Sequence, residues 1–214
     1  MPSSAPVANP VTSDPAAARI VRQAREHFFA HGYCHCTMDE LATELGMSKK
    51  TLYVYFRSKD DIIRALLDQL GAEIRSEAEA LFANRSLNFA EKLRGFAESM
   101  FVRLARLNPR TPRELQRFAP HLHQQLMEIR QRNIPYIFGR FIEEGQLAGK
   151  VRTDIDTPFA IEFFLQAMQG CIQSAALERH QLAPRDIVPR AIDLFFGGLL
   201  TPAGRKEHEK LFAR

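Results

Sequence analysis

The chain has 214 residues, 45% hydrophobic and 25% charged, which excludes collagen-like, mucin-like and wholly disordered polypeptides and leaves enough apolar side chains for a sizeable core. Its net charge of +4 permits a polyanionic partner without requiring one, because residues 1–70 hold 8 basic and 8 acidic side chains and the whole excess falls later. Three cysteines are too few for a disulfide framework, no apolar run reaches the roughly 18 residues of a membrane span, and the first residues lack the regions of a secretion signal, so a cytoplasmic protein that avoids membranes is expected.

Residues 1–13 carry no charge and are rich in Pro, Ala and Ser, a composition expected to form a flexible arm. Order is expected to begin at Asp14-Pro15, an N-cap followed by proline at the first helical position, after which Ile20, Val21, Ala24 and Phe28 recur at helical spacing up to Gly32. Thr37-Met38-Asp39-Glu40 reads as a capping box opening a short helix with Leu41, Ala42 and Leu45 on one face, ended by Gly46. Ser48 caps a third helix to about Phe56. Ser58 starts a long fourth helix whose stripe Ile63, Leu66, Leu70, Ile74 and Leu81 continues to about residue 83.

Helical spacing persists beyond it, with no strand signals. Phe89, Leu93, Phe96, Met100 and Leu104 share a helix stopped before Pro109, and a short segment near residues 114–118 meets Pro120. A longer helix is expected to be interrupted or kinked near Pro135 and closed by Gly145. Thr157-Pro158 opens a helix with Phe163, Phe164, Ala167, Met168 and Cys171 expected inward, and Pro184 opens another carrying Ile187, Ala191, Ile192 and Phe195 before Gly197-Gly198. The polar tail from Thr201 is expected to fray.

Two short helices joined by Leu45-Gly46-Met47-Ser48 suggest a helix-turn-helix, whose second helix enters the DNA major groove. At 100° per residue, Leu52 and Phe56 share one side of that helix; the opposite side centres on Val54, with Lys50 and Thr51 beside it and Tyr53 and Tyr55 on the flanks. Lys50 suits guanine O6 and N7, Thr51 a base edge or phosphate, Val54 a thymine methyl, and the two phenols suit phosphates. Lys49 and Lys50 also break a local rule, since a cation in the first helical turn opposes the helix dipole by about 0.3–1 kcal/mol. Phosphate reverses that penalty, which makes Lys49, Lys50 and Lys59 an anion-seeking edge. Thr37 and Ser48 are positioned to share cap and phosphate duties.

The stretches Gly32-Tyr33, Thr37-Met38-Asp39-Glu40-Leu41-Ala42, Leu45-Gly46-Met47-Ser48, Thr51-Leu52-Tyr53-Val54-Tyr55-Phe56 and Ser58-Lys59 resemble, in order and spacing, the DNA-binding domain of the TetR family of transcriptional regulators over residues 16–65. The resemblance implies that Thr37 caps its helix and touches phosphate, that Lys49, Lys50, Thr51 and Val54 face bases, and that Tyr53, Tyr55 and Lys59 grip phosphates. Lys50 stands where the family most often has glycine or a small residue, which bears on operator sequence and not on DNA binding itself. The implied fold is all-α: a three-helix helix-turn-helix domain over residues 14–62, then a larger helical effector-binding and dimerisation domain over residues 63–214.

In that second domain Ala160, Phe163, Ala167, Gly170, Ala175, Ala191 and Phe195 offer apolar faces with small residues, suited to a two-fold four-helix interface. Sixteen phenylalanines and no tryptophan suggest a ligand pocket lined by Phe96, Met100, Phe118, Phe141, Phe164 and Met168, with Arg103, His121 and Tyr136 as polar fixings, although such stripes also serve as plain core. His27, His31, Cys34, His35 and Cys36 are metal-ligand types at spacings that match no familiar zinc pattern, so neither metal nor cofactor is expected. The reading is a homodimeric regulator bound to double-stranded operator DNA, a repressor released by a small apolar effector, with the fourth helix transmitting the signal. Its alternatives are a regulator without an effector, an activator, and a helical small-molecule enzyme, for which no Gly-x-Ser-x-Gly, phosphate-loop or His-Glu-x-x-His motif is present and no catalytic residue is assigned.

Overall fold

The computed structural model describes residues 14–172 and 184–212, and these are all-α: α1 Pro15–His31, α2 Met38–Leu45, α3 Lys49–Tyr55, α4 Lys59–Ala83, α5 Phe89–Ala105, α6 Thr111–Phe118, α7 Pro120–Leu147, α8 Thr157–Ile172, α9 Pro184–Leu199 and α10 Pro202–Phe212. The arm expected over residues 1–13 and the small residue Ala175 lie outside the described residues. The chain divides into two compact units, Met1–Leu70 with Arg110–Leu126, and Gly71–Pro109 with Met127–Arg214.

In the first unit, side-chain caps define the short helices. Asp14 accepts from the Ala16 and Ala17 amides at 2.7 and 3.4 Å, and Pro15 supplies a preset φ, so α1 starts where its apolar stripe starts. Ile20, Val21, Ala24 and Phe28 are all buried on that stripe. The capping box of α2 closes in both directions, Glu40 N–H donating to Thr37 Oγ1 at 3.2 Å and Thr37 N–H to Glu40 Oε2 at 3.2 Å. Gly46, at φ +63°, takes the left-handed conformation that ends α2 and turns the chain into Ser48. Leu41, Leu45, Leu52, Phe56, Ile62 and Ile63 then form the interior of the unit.

α6 and the start of α7 belong to this same unit. Leu115 and Leu122 are buried, Glu114 Oε2 accepts the Cys34 amide at 3.0 Å, His121 Nε2 lies 2.9 Å from Asp60, and Gln125 donates to Asp68 at 2.9 Å and to the Arg64 carbonyl at 3.1 Å.

The second unit is built on aromatic packing. Phe96, Phe138, Phe141, Phe164, Phe195 and Phe196 are buried together, with ring centroids 4.6 Å apart for Phe138–Phe164 and 4.9 Å for Phe164–Phe195. Asn133 of α7 donates to the Gly71 carbonyl of α4 at 2.7 Å, a buried polar group with its partner in place.

Four expectations are corrected here. α7 continues as one helix through Pro135, which corrects the expected interruption there, and the backbone acceptor that proline leaves unused belongs to the exposed Gln131. Gly145 does not close α7, which runs to Leu147 and turns at Gly149, φ +67°. Gly145 is instead a close-packing position, because a Cβ there would collide with Val151 and Phe89. Likewise α9 passes through Gly197-Gly198 to Leu199.

The tail does not fray; it forms α10. Thr201 Oγ1 accepts from Gly204 N–H at 3.1 Å and donates to the Gly149 carbonyl at 2.9 Å, Arg205 donates to the Gly197 carbonyl at 2.9 Å, and Lys150 pairs with Glu207. Long-range hydrogen bonds carry no hydrophobic periodicity, which is why composition alone read this segment as loose.

Candidate nucleic-acid interface

A seven-residue helix has room for one buried anchor per turn, and in α3 that anchor is Leu52, fully buried, with Phe56 just beyond it. The opposite side is therefore presented outward: Val54 is 77% exposed, Tyr53 45% exposed, and Ser48, Lys49, Lys50 and Thr51 are all exposed. Tyr55 and Lys59 are half-buried. Thus Ser48, Lys49, Lys50, Thr51, Tyr53 and Val54 are exposed on α3 and its cap, and Thr37, the cap of α2, is exposed as well.

Several of these groups already have protein partners. The Lys49 ammonium lies 2.6 Å from Asp39 Oδ1, and this acid, through its hydrogen bond and charge, raises the lysine's proton affinity above its ordinary value. Asp39 stands in the first turn of α2 and answers the dipole conflict that Lys49 alone presents; nothing in the local sequence signals the pairing across the turn. Lys50 has no ion-pair partner among the described residues. Ser48 Oγ accepts from Thr51 N–H at 3.0 Å and meets Thr51 Oγ1 at 2.8 Å, while the Thr37 hydroxyl donates to Glu40 at 2.6 Å, which holds that carboxyl below its usual range.

Lys59 is used inside the unit. Its ammonium donates to the Tyr33 carbonyl at 3.2 Å and sits 3.9 Å above the Tyr33 ring, while Tyr33 Oη donates to Asp60 at 2.8 Å. Burial, reinforced by Asp60, pushes the Tyr33 phenol well above its ordinary value. This cluster fastens the turn after α1 to the start of α4. Of the supposed metal-ligand types, Cys34, His35 and Cys36 lie in this turn and His27 and His31 on α1; His27 is committed, Nδ1 lying 3.0 Å from Glu44 and Nε2 2.7 Å from the His35 carbonyl. Burial raises the Cys36 thiol to about 11.

The expected pocket residues are dispersed. Phe96, Phe141, Phe164 and Met168 lie in the core of the second unit, Met100 packs against it, Tyr136 donates to Glu79 at 3.1 Å, and Arg103 pairs with Glu73 at 3.0 Å and Glu77 at 2.5 Å. Phe118 and His121 belong to the first unit. The second unit has a groove of about 590 Å³ beside α5, and none of these nine residues lines it. Of the expected interface residues, Ala160 and Phe195 are buried in the subunit's own core, Ala191 is half-buried, and Phe163, Ala167 and Gly170 are exposed. The inward orientation expected for Phe163, Ala167 and Cys171 is thereby corrected: only Phe164 and Met168 of that set turn to the core.

Residues 20–66 match the family model described as bacterial regulatory proteins, tetR family. An uncharacterized HTH-type transcriptional regulator of Bacillus subtilis, YvaF, is 24% identical over 163 residues, 76% of this chain and 85% of the relative. The regulatory protein TetR from Rhodobacter sphaeroides superposes with a TM-score of 0.63 at 24% identity, covering 88% of this chain and 100% of that one. The regulator FadR from Bacillus subtilis, crystallised in complex with stearoyl-CoA, gives a TM-score of 0.59 at 21% identity, covering 85% and 98%. Residues 20–66 therefore carry the helix-turn-helix domain of the tetR family of bacterial regulatory proteins, and the chain shares its helical fold with these regulators.

Proposed function

We propose that the protein is a homodimeric repressor that reads a quasi-palindromic operator with α3 and is released by a small apolar ligand held in its second unit. The observation that carries the DNA-reading assignment is the outward face of α3, where Lys50, Thr51, Tyr53 and Val54 are exposed around the buried Leu52. Lys50 and Val54 take base edges, Thr51 a base or phosphate, and Tyr53 and Tyr55 phosphates; Lys49 exchanges Asp39 for phosphate on binding. Thr37, Ser48 and Lys59 hold the geometry and contact phosphate from their caps and turn. Dimerisation places two such helices about 34–36 Å apart, one turn of DNA, or a multiple of that spacing.

Support for the dimer comes from α8 and α9, where Phe159, Phe163 and Leu194 are 66%, 62% and 80% exposed. Each contributes about 1.5–3 kcal/mol if fully buried by a partner, and the exposed Ala167 and Gly170 permit close helix approach. Support for an apolar effector comes from the related fold of FadR with its stearoyl-CoA, and from the groove in this chain's second unit. α4 contributes residues to both units and is the element through which ligand binding changes the recognition-helix spacing. A coupling of about 1–3 kcal/mol weakens operator binding about 5- to 150-fold.

The test is selection of DNA by the purified protein from a random library, followed by binding of the winner across salt concentrations. A quasi-palindromic winner is expected. Lys50→Ala relaxes preference at one base pair, by about 1–3 kcal/mol, and Tyr53→Phe weakens all sequences alike. Weak, steeply salt-dependent binding with no preferred sequence overturns the operator reading.

A further inference from the structure

The carboxylates of α2 and of the first turn of α4 differ in where they point. Glu40 is taken up by its capping box with Thr37, and Glu44 accepts from Gln23 at 2.9 Å and lies 3.0 Å from His27 Nδ1, both on α1. Asp60 accepts from Tyr33 Oη at 2.8 Å and lies 2.9 Å from His121 Nε2, while Asp61 accepts from Ser58 at 3.0 Å and pairs with Arg64 at 3.2 Å. All four are used inside their unit and away from α3. Asp39 instead meets the ammonium of Lys49, the first residue of the recognition helix, at 2.6 Å.

Helical geometry accounts for this placement. At 100° per residue, Asp39 and Thr43 fall away from the stripe of buried Leu41, Ala42 and Leu45, and both are exposed. In a helix-turn-helix the first helix crosses the DNA backbone and the N-terminal end of the second leads into the groove. Asp39 stands on the crossing helix and is paired to the leading end of the other, beside Lys50. A negative charge is thereby set where phosphates arrive.

Its effect is different in two kinds of complex. Binding to arbitrary sequence rests almost wholly on neutralising phosphates, and while Asp39 keeps Lys49 one cation is withdrawn from that sum. At an operator, base contacts by Lys50, Thr51 and Val54 draw the end of α3 fully into the groove, where Lys49 reaches phosphate. Both partners of the pair are more than half exposed, so the carboxylate left behind is hydrated and the pair opens at little cost.

We infer that Asp39 is a specificity-determining residue: its carboxylate occupies Lys49 in place of phosphate, and so suppresses binding to non-operator DNA while leaving operator binding nearly intact. The inference rests on the operator-reading role given to α3.

The experiment measures the affinity of the full-length protein for the library-selected duplex and for a random-sequence duplex of equal length, across salt concentrations. Asp39→Asn is expected to tighten random DNA about tenfold near 0.1 M salt, with a salt slope steeper by about 1, and to tighten the selected duplex at most about threefold. Asp39→Glu, which keeps the charge, retains the wild-type ratio of the two affinities. Asp39→Asn combined with Lys49→Ala removes both charges: random DNA then binds as it does to wild type, and the selected duplex binds more weakly, with a slope reduced by about 1. Equal tightening of both duplexes by Asp39→Asn overturns the inference, because a charge that acts alike everywhere sets affinity and not specificity. Unchanged affinity for random DNA overturns it too, as does loss of the ratio in Asp39→Glu. A wild type that selects no sequence overturns the operator reading and this inference with it, whereas a selected sequence with any of the three preceding results overturns the inference alone.

Discussion

α3 and α8 sort neighbouring residues in the same way and to different ends. In α3, Leu52 is fully buried and the next residue, Tyr53, is 45% exposed; in α8, Phe164 is 4% exposed and Phe163 is 62% exposed. The outward side of α3 is made of Lys, Thr, Tyr and Val, which hydrogen-bond or touch methyl groups, whereas that of α8 adds Phe159 and Phe163, which do neither with water. Periodicity tells which residues share a side, and only the chemistry of the outer side tells what lies against it.

Substitutions break or sharpen this contrast. Phe141→Ala, at a fully buried ring packed on Phe82, Phe96 and Phe196, is expected to cost about 3–5 kcal/mol in denaturant unfolding. A loss under about 1 kcal/mol would mean the aromatic core is loose. Glu144→Ala strands the buried Lys92 ammonium, which keeps only the Phe82 carbonyl at 3.2 Å, at a cost of about 3 kcal/mol; Lys92→Met with Glu144→Leu recovers most of it.

Phe163→Ala tests the outer side of α8 directly. Its cost is about 1.5–3 kcal/mol if a second subunit covers the ring, appears as dissociation in sedimentation, and grows as the protein is diluted. No concentration dependence would place Phe163 in water. Thr37→Ala removes the α2 capping box at a cost of about 1 kcal/mol, measured by melting, with DNA binding weakened through the displaced α2–α3 turn.

Acid gives the smallest effect. Glu44, held below its usual value by Gln23 and then by His27, and Glu40, held by Thr37, contribute stability that is complete above their unfolded value and fades as pH falls through the folded one. The melting difference between wild type and Glu44→Gln is expected to shrink between about pH 5 and about pH 3. A difference that persists at the acid end would show that the contact depends on packing and not on charge.

The first four helices and the outward set on α3 were legible because caps, glycines and a seven-residue recognition helix write their positions into consecutive residues. Asp39 as the partner of Lys49 was not legible, since the pair forms across a turn and either residue alone looks like an ordinary surface charge. The inside and outside of α8 were read wrongly at Phe163, Ala167 and Cys171, because an apolar residue carries no mark of which surface it meets. α10 was missed for a related reason: its anchoring uses carbonyls of Gly149, Lys150 and Gly197, which have no side-chain signature. The groove drew no notice because its lining is split between α5, α9 and α10.

The membership of Arg110–Leu126 in the first unit bears on how regulators of this kind can be recombined. A graft that exchanges only the first seventy residues carries the recognition helix away from Glu114, which holds the Cys34 amide, and from His121 and Gln125, which hold α4. The reading head is then a spliced object, assembled from two stretches of chain. A functional chimera has to transplant both stretches together, and insertions tolerated between them tell a protein engineer more than any cut placed at a helix boundary.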